Sequence, residues 1–233
     1  SREDGPNALA LAVLPGRVQV SVVGQQGAGV DGLDVHVNDV VASRCGRGCY
    51  AARATAPFDV RVGSTSWDVH VPAHAPDASA LVARATRTWR SLRSLSFFDR
   101  LGSDATHVVL SNWTAIAPDR LSYRVRGGSS AVIVGDRRWD RAPGGKWIES
   151  PQLPVRQPRP LWVAVADAHV VGETAQAWRI TFFDPGTPAW FEITVDKRTA
   201  RTLDARMVTT AHFMHERYGD FDAPLEIVPP TSP

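Results

Sequence analysis

The chain has 233 residues, 43% of them hydrophobic and 21% charged, so it is long and apolar enough to bury a core. The net charge is only +2, and its arginines lie among acidic residues rather than in a stripe, which argues against nucleic-acid binding. No segment approaches the ~20 apolar residues of a spanning helix, and the polar start predicts no signal peptide, as in a mature secreted protein or an excised ectodomain. The preference for arginine over lysine is typical of a GC-rich bacterial genome.

The N-terminal part reads as short strands separated by turn residues. Apolar and polar residues alternate in the segments 18–23, 33–37, 58–62 and 67–71. Glycines punctuate the first connection. Several short alternating strands in about seventy residues predict an Ig-like β-sandwich domain over residues 6–73.

The cysteines are Cys45 and Cys49, separated by three residues. Gly46 and Gly48 allow the sharp turn that brings the two Cα atoms within disulfide range. A structural disulfide is the favoured interpretation, and it indicates an oxidising, extracytoplasmic compartment. The alternative is a thiol pair that binds copper.

A linker and a helix follow the predicted sandwich. Residues 72–76 contain two prolines and cannot continue a central strand. Between residues 78 and 95 the apolar residues recur on one helical face, and the arginines lie away from it. One long helix is therefore predicted, with an apolar face that includes Leu81, Ala85, Trp89 and Leu92.

After the helix the period returns to two. Strands are predicted at 107–117, 121–125, 131–134, 146–149, 178–183, 190–195 and 201–218. Residues 151–160 hold four prolines and predict an irregular segment, and residues 161–168 are assigned to a short second helix. The second domain, residues 77–233, is thus predicted to be a helix packed on an antiparallel meander.

This order of segments resembles a known carrier fold. The segment 139–147 follows a Val-Ile-Val-Gly-Asp strand, 117–120 lies upstream, and 223–230 closes the chain. The arrangement is similar to the lipoprotein-carrier fold shared by LolA and the mycobacterial LppX/LprG group, over roughly residues 77–230. That resemblance implies a half-open antiparallel β-barrel around one long helix.

Both halves together resemble the extracytoplasmic C-terminal region of actinobacterial copper-resistance and copper-transport membrane proteins (CopC/CopD-like). The matching stretches are residues 29–35 and 45–50, the second a Cys-x3-Cys-Tyr segment. The resemblance implies a membrane-embedded domain elsewhere in the parent chain. The copper-binding and membrane domains of that group have no counterpart in this sequence.

Metal-binding and catalytic patterns are weak. His212 and His215 lie on a predicted strand, where residues three apart point to opposite faces. His212 and Met214 share a face and could suit Cu(I), but two ligands are too few for a site. No G-x-S-x-G turn for a nucleophilic serine is present. The acidic residues mostly alternate with apolar ones along predicted strands, which is typical of a solvent-exposed face of a sheet. We therefore predict no enzyme activity, no cofactor and no metal.

The aromatic residues carry the functional prediction. Seven of eight tryptophans lie in the second domain, and one helix cannot cover the apolar face of so broad a sheet. The sheet must curl, recruit the proline-rich segment as a second lid, or leave an apolar hollow that accepts a ligand. The predicted lining comprises Trp113, Trp139, Phe182, Trp190 and Phe191 of the sheet together with Leu81, Ala85, Trp89 and Leu92 of the helix.

The sequence thus predicts a non-catalytic extracytoplasmic module of a bacterial membrane-associated protein that binds an apolar small molecule, such as a lipid or acyl chain. Two alternatives remain open. One is a copper-handling accessory domain that uses His212, Met214 or the cysteine pair. The other is a structural spacer whose barrel is filled by its own side chains and has no cavity.

Overall fold

The computed structural model describes residues 1–55, 57–69, 75–104 and 106–231. Within these ranges the chain forms three antiparallel sheets and one helix. No helix in the described part of the chain has the length and apolarity needed to traverse a bilayer. The protein is mainly β, as its alternating segments predict.

Nine strands build two sheets in the N-terminal part. They are β1 (Arg2–Asp4), β2 (Asn7–Leu14), β3 (Arg17–Val23), β4 (Val35–Val37), β5 (Val40–Val41), β6 (Ser43–Gly46), β7 (Cys49–Ala52), β8 (Phe58–Val62) and β9 (Thr65–Val69). One sheet has the order β1-β2-β3-β7-β6 and the other β5-β4-β8-β9. Both contribute to one core, with Val20 and Tyr50 from the first sheet and Val37 and Val60 from the second. The two sheets therefore form a sandwich, and its Ig-like topology stays a prediction.

The predicted linker, residues 72–76, falls largely outside the described residues, as do His70, Val71 and His74. Strand β9 accordingly accounts for the first part of the predicted strand 67–71. Residues 76–78 add to the edge of the large sheet, since the amides of Ala78 and Val170 bond to the carbonyls of Ala168 and Pro76. The domain boundaries stay a prediction.

The predicted disulfide between Cys45 and Cys49 is confirmed. It joins the ends of β6 and β7, and Gly48 between them has the positive φ of +62° that the tight connection requires. Both sulfur atoms are bonded to each other, so neither cysteine is a free thiol.

Because this disulfide closes a very small loop, its contribution to stability is modest. A Cys45→Ser/Cys49→Ser double variant should lose about 2 kcal/mol of unfolding free energy in the chain-entropy model. Urea unfolding of the oxidised parent and the variant measures this difference. The parent treated with a reductant should match the variant, and equal stability of all three proteins would contradict the expectation.

The helix α1 (Ser79–Ser91) is shorter than predicted. Its 13 residues span about 20 Å, and Leu92 already has extended backbone. Leu95 therefore belongs to the next strand rather than to the helix. The buried residues Val82, Ala85 and Trp89 form the face that packs on the sheet.

Eleven strands form the large sheet. They are β10 (Ser94–Gly102), β11 (Val108–Ile116), β12 (Arg120–Val125), β13 (Ser130–Val134), β14 (Arg137–Arg141), β15 (Ile148–Pro151), β16 (Ala166–Glu173), β17 (Ala177–Asp184), β18 (Ala189–Asp196), β19 (Thr202–Thr209) and β20 (His212–Gly219). The order is β15-β14-β13-β12-β11-β10-β20-β19-β18-β17-β16. Since β15 and β16 are the two edges, the sheet curls around α1 without closing, as the predicted half-open barrel requires.

Three sequence-based assignments in this part are wrong. Residues 161–168 form no helix but an irregular segment that leads into β16. Residues 201–218 are two strands, because the chain turns at residues 210–211, where Ala211 has a φ of +52°. Strand β10 is not predicted from the sequence, because its first apolar residues continue the helical pattern of α1.

The two faces of the large sheet differ. In β18 the residues Phe191, Ile193 and Val195 are fully buried, whereas the alternating residues Trp190 and Glu192 are half-buried. The first group packs under α1 and defines the concave face. The second group defines the convex face, where Trp190 packs with Ala8, Val208 and Phe213. Strand β2 of the N-terminal sandwich therefore contacts the back of the large sheet.

Candidate functional site

The concave face under β16 to β19 is filled by the protein itself. Phe182 and Phe191 are cross-strand partners with stacked rings, their centroids 5.1 Å apart. Trp162 meets both rings edge-on, at 5.6 and 6.2 Å. Together with the apolar face of α1, these side chains form a buried hydrophobic core in this half of the half-barrel.

The proline-rich segment is the second cover that the sequence suggested. Residues 152–165 contain no strand or helix and cross the concave face. Trp162 fastens this segment to α1, because its indole Nε1–H donates to Thr86 Oγ1 at 2.9 Å. At its start the backbone N–H of Gln152 donates to the Asp136 carbonyl at 2.8 Å, and further along the backbone N–H of Gln157 donates to the Pro118 carbonyl at 2.8 Å. The segment is thus held at both ends, and we call it the lid.

Asp184 holds the far end of the lid. Its buried carboxylate accepts the backbone N–H groups of Val163 at 2.7 Å and Ala164 at 3.0 Å. It also accepts from Gly186 at 2.7 Å and from the hydroxyl of Thr187. Burial alone would raise the pKa of Asp184, but these four hydrogen bonds outweigh it and lower the pKa below its ordinary value. The carboxylate therefore stays charged and keeps the lid in place.

A cavity of about 650 Å³ lies under the lid, on the other half of the concave face. Strands β10, β11, β12 and β20 form its floor, the end of α1 forms one side, and residues 156–163 form its roof. The volume is in the range that accepts a small-molecule ligand. A barrel filled entirely by its own side chains is therefore not what the described part of the chain forms.

An aromatic row runs across the floor of this cavity. Trp89 meets Tyr218 edge-on at 4.9 Å, Tyr218 lies 5.7 Å from Phe97, and Phe97 stacks on Trp113 at 5.6 Å. Tyr123 extends the row at 4.4 Å from Trp113. The first four rings line the cavity. Such a surface offers flat apolar area that suits the body of an apolar ligand.

Two carboxyl groups interrupt this apolar floor. Asp99 of β10 and Glu216 of β20 are only 4% and 6% exposed, and both line the cavity. Asp99 Oδ2 accepts from Ser111 Oγ at 3.3 Å, whereas Asp99 Oδ1 is buried without a hydrogen-bond donor among the described residues. Tyr218 donates its hydroxyl to Glu216. An unpaired buried acceptor costs about 1–3 kcal/mol.

The environment of both carboxyl groups raises their pKa values. Burial raises the pKa of Asp99 to about 6, although Ser111 and the charge of His215 act in the opposite direction. Burial, together with repulsion by Asp99, raises the pKa of Glu216 to about 7 against the hydrogen bond from Tyr218. The pair is therefore partly protonated near neutral pH in the free protein.

Four predicted lining residues lie on the concave face of the sheet or beside it. Trp89 and Trp113 line the cavity directly. Phe182 and Phe191 lie in the filled half, next to Trp162. The three other helix residues of the prediction pack into the core below α1, namely Leu81, Ala85 and Leu92. Their role in binding a ligand stays a prediction.

Trp139 and Trp190 lie on the convex face. Trp190 precedes Phe191 on one strand, and adjacent strand residues point to opposite faces. In the strand registers Trp139 lies opposite Val132, Val132 opposite Ser122, and Ser122 opposite Thr114, so these residues share one face of the sheet. Thr114 lies between the cavity residues Trp113 and Ala115 and therefore points to the other face. The registers thus separate these two tryptophans from the cavity.

Several cavity residues had no role in the sequence-based prediction. Leu95 and Phe97 were missed with β10, and Asp99 with them. Met214 and Glu216 alternate with outward-facing residues of β20. A test for period-two alternation in the sequence that directly follows the helix could have found the apolar cavity residues. The two acids looked like solvated strand residues, and only the register shows that they face inward.

The alternative copper ligands His212 and Met214 lie on β20, a strand as predicted. His212 is exposed, whereas Met214 packs against the core and lines the cavity. His215 points to the other face, where its Nε2 lies 2.6 Å from Asp204 Oδ2. Within the described residues, no group of three His, Cys, Asp or Glu side chains is placed to hold a metal ion.

The large sheet with its helix has a LolA-like fold. LprF from Mycobacterium bovis superimposes with a TM-score of 0.50 at 9% identity, covering 68% of this chain and 100% of LprF. The lipoprotein LppX from Mycobacterium tuberculosis gives 0.45 at 9%, covering 64% of this chain and 97% of LppX. A LolA-superfamily protein from Nitrosomonas europaea gives 0.28 at 9%, covering 66% and 96%. No family model and no curated protein matches the sequence.

Proposed function

We propose that this chain is a non-catalytic extracytoplasmic module that holds an apolar ligand, such as a lipid or acyl chain, in the cavity under the lid. The observation that carries the proposal is the aromatic-floored cavity of about 650 Å³ in a fold like that of LprF. Each methylene buried there contributes about 0.8 kcal/mol, so a long acyl chain binds usefully even after ordering costs.

The disulfide supports the proposed location, because such bonds persist in oxidising compartments. In the parent protein the module is joined to a membrane-embedded domain, as the resemblance to the CopC/CopD-like proteins implies. A copper role gains no support from the cysteine pair, because the two sulfur atoms are bonded to each other.

Native mass spectrometry of the purified protein, before and after organic extraction, tests for a bound lipid. Uptake of a fluorescently labelled sixteen-carbon fatty acid by the extracted protein measures affinity and stoichiometry. We expect saturable binding near one molecule per chain. The absence of both a co-purifying lipid and fatty-acid uptake would contradict the proposal.

A cavity-filling variant locates the binding site. Leu121 lines the cavity from β12, so Leu121→Trp should place an indole in the space of the ligand. We expect at least about a tenfold loss of affinity, since excluding two methylenes already removes ~1.6 kcal/mol. Leu203→Trp, at an exposed position of β19, is the matched control and should bind as the parent does. Equal binding by both variants would place the ligand elsewhere.

A further inference from the structure

The two carboxyl groups in the cavity form a pair across neighbouring strands. Asp99 and Glu216 are direct partners in the β10–β20 register, which places their Cβ atoms about 4.5–5.5 Å apart. Both side chains are more than nine-tenths buried and line the same cavity. They are the acidic part of an otherwise aromatic and aliphatic floor.

The hydrogen bonds of this pair are incomplete within the described residues. Trp113 Nε1–H donates to Ser111 Oγ at 2.8 Å, and the Ser111 hydroxyl donates to Asp99 Oδ2. Asp99 Oδ1 receives no donor from the part of the chain that the structure describes. An acceptor left unpaired beside a cavity is a group that a donor brought by a ligand would satisfy.

The charge of the pair is also not balanced locally. His215 is the charged neighbour that favours ionised Asp99, but it lies on the convex face and is engaged by Asp204. The arginines at the cavity, Arg90, Arg156 and Arg159, are exposed. Burial is the largest cause of the raised pKa values of both carboxyl groups, and the charge of Asp99 adds to it for Glu216.

We propose, building on the function proposed above, that the cavity selects amphiphiles by their polar group. The selected polar group is an ammonium or a hydroxyl, which donates hydrogen bonds to Asp99 and Glu216. An ammonium group would supply both the missing donor and the missing positive charge, and the faces of Phe97 and Trp113 favour a cation beside them. An anionic head group at the same position meets two like charges. The pair therefore discriminates between amphiphiles of equal chain length.

The test compares three twelve-carbon amphiphiles that differ only in their polar group. Dodecylamine, 1-dodecanol and dodecanoate compete at pH 7.5 with diphenylhexatriene, a fluorescent hydrocarbon without hydrogen-bonding groups. We expect the amine to displace the probe best, the alcohol next and dodecanoate least. The amine should exceed dodecanoate by at least about tenfold, the effect of one charge-assisted hydrogen bond.

Matched variants assign this preference to the pair. In Asp99→Asn the preference for amine over dodecanoate, both measured against diphenylhexatriene in the same variant, should fall by at least about tenfold. Glu216→Gln provides a second, independent variant with the same expected direction. Asp136→Asn, at an exposed residue between β13 and β14, is the control and should keep the parental preference.

The outcomes separate this inference from the proposed function. If diphenylhexatriene and all three amphiphiles fail to bind, both proposals are overturned. If they bind but compete equally, or if dodecanoate competes best through the exposed arginines, only the selectivity is overturned. An amine preference that survives in both Asp99→Asn and Glu216→Gln also removes the pair as its cause.

Discussion

Replacing Trp162 with alanine is expected to lower the free energy of unfolding by about 3–5 kcal/mol, because it removes a large side chain that is only 3% exposed. The indole packs edge-on against Phe182 and Phe191 and donates a hydrogen bond to Thr86. No other side chain of the lid is tied to both the helix and the sheet by contacts of this kind in the described residues. Urea unfolding followed by circular dichroism measures the loss.

Two further variants separate the contributions of Trp162. Trp162→Phe keeps an aromatic ring against the two phenylalanines but loses the bond to Thr86, and should cost about 1–2 kcal/mol. Val163→Ala is the control at the neighbouring position, where the side chain is 77% exposed, and should cost less than about 0.5 kcal/mol. If Trp162→Ala is as stable as Val163→Ala, the lid is not anchored by this residue.

In Trp162→Ala, which lacks the anchor of the lid, release of a bound fluorescent fatty acid should also be faster than in the parent.

The second large effect is a change in how stability depends on pH. Burial is the largest cause that raises the pKa of Glu216 from 4.5 to about 7. Between these values the folded protein holds a proton that the unfolded chain has released, so stability falls as pH rises through this window. Glutamine cannot ionise. Glu216→Gln should therefore be more stable than the parent by about 2–3 kcal/mol above pH 7 and about equal to it below pH 4.5.

Several groups set this behaviour. Asp99 faces Glu216 across the strand pair, Tyr218 donates to it, and His215 with Asp204 lies on the opposite face. Urea unfolding at pH 4.5, 6.0, 7.5 and 8.5 defines the two profiles. Glu226→Gln, at an exposed position near the C terminus, is the control and should follow the parent at every pH. Parallel profiles for the parent and Glu216→Gln would show that Glu216 is not the titrating group.

Much of the architecture could be predicted from the residues. Period-two alternation located most strands, and the glycines between Cys45 and Cys49 indicated the disulfide. The large sheet is also broader than one helix can cover, as the sequence predicts. An eleven-stranded sheet would be about 48 Å wide if flat, whereas α1 is about 20 Å long, and the proline-rich lid supplies the additional cover.

The assignment of residues to the cavity required the strand registers. Trp190 and Phe191 could not both face one side, but the sequence alone does not tell which of them faces inward. The helix pattern continued through Leu95, so the first strand of the cavity floor was absorbed into the helix. Asp99 and Glu216 obey the alternation of a half-exposed strand. Their burial depends on the lid and on neighbouring strands that are far apart in sequence.

The contact of β2 with the back of the large sheet has a consequence for dissecting the chain. Ala8 covers an apolar patch made by Trp190, Val208 and Phe213 on the side away from the cavity. A fragment that begins after residue 76 would present this patch to water and become prone to self-association. The N-terminal strands thus cover part of the convex face of the large sheet, whereas the cavity on the concave face is lined by residues between Trp89 and Tyr218.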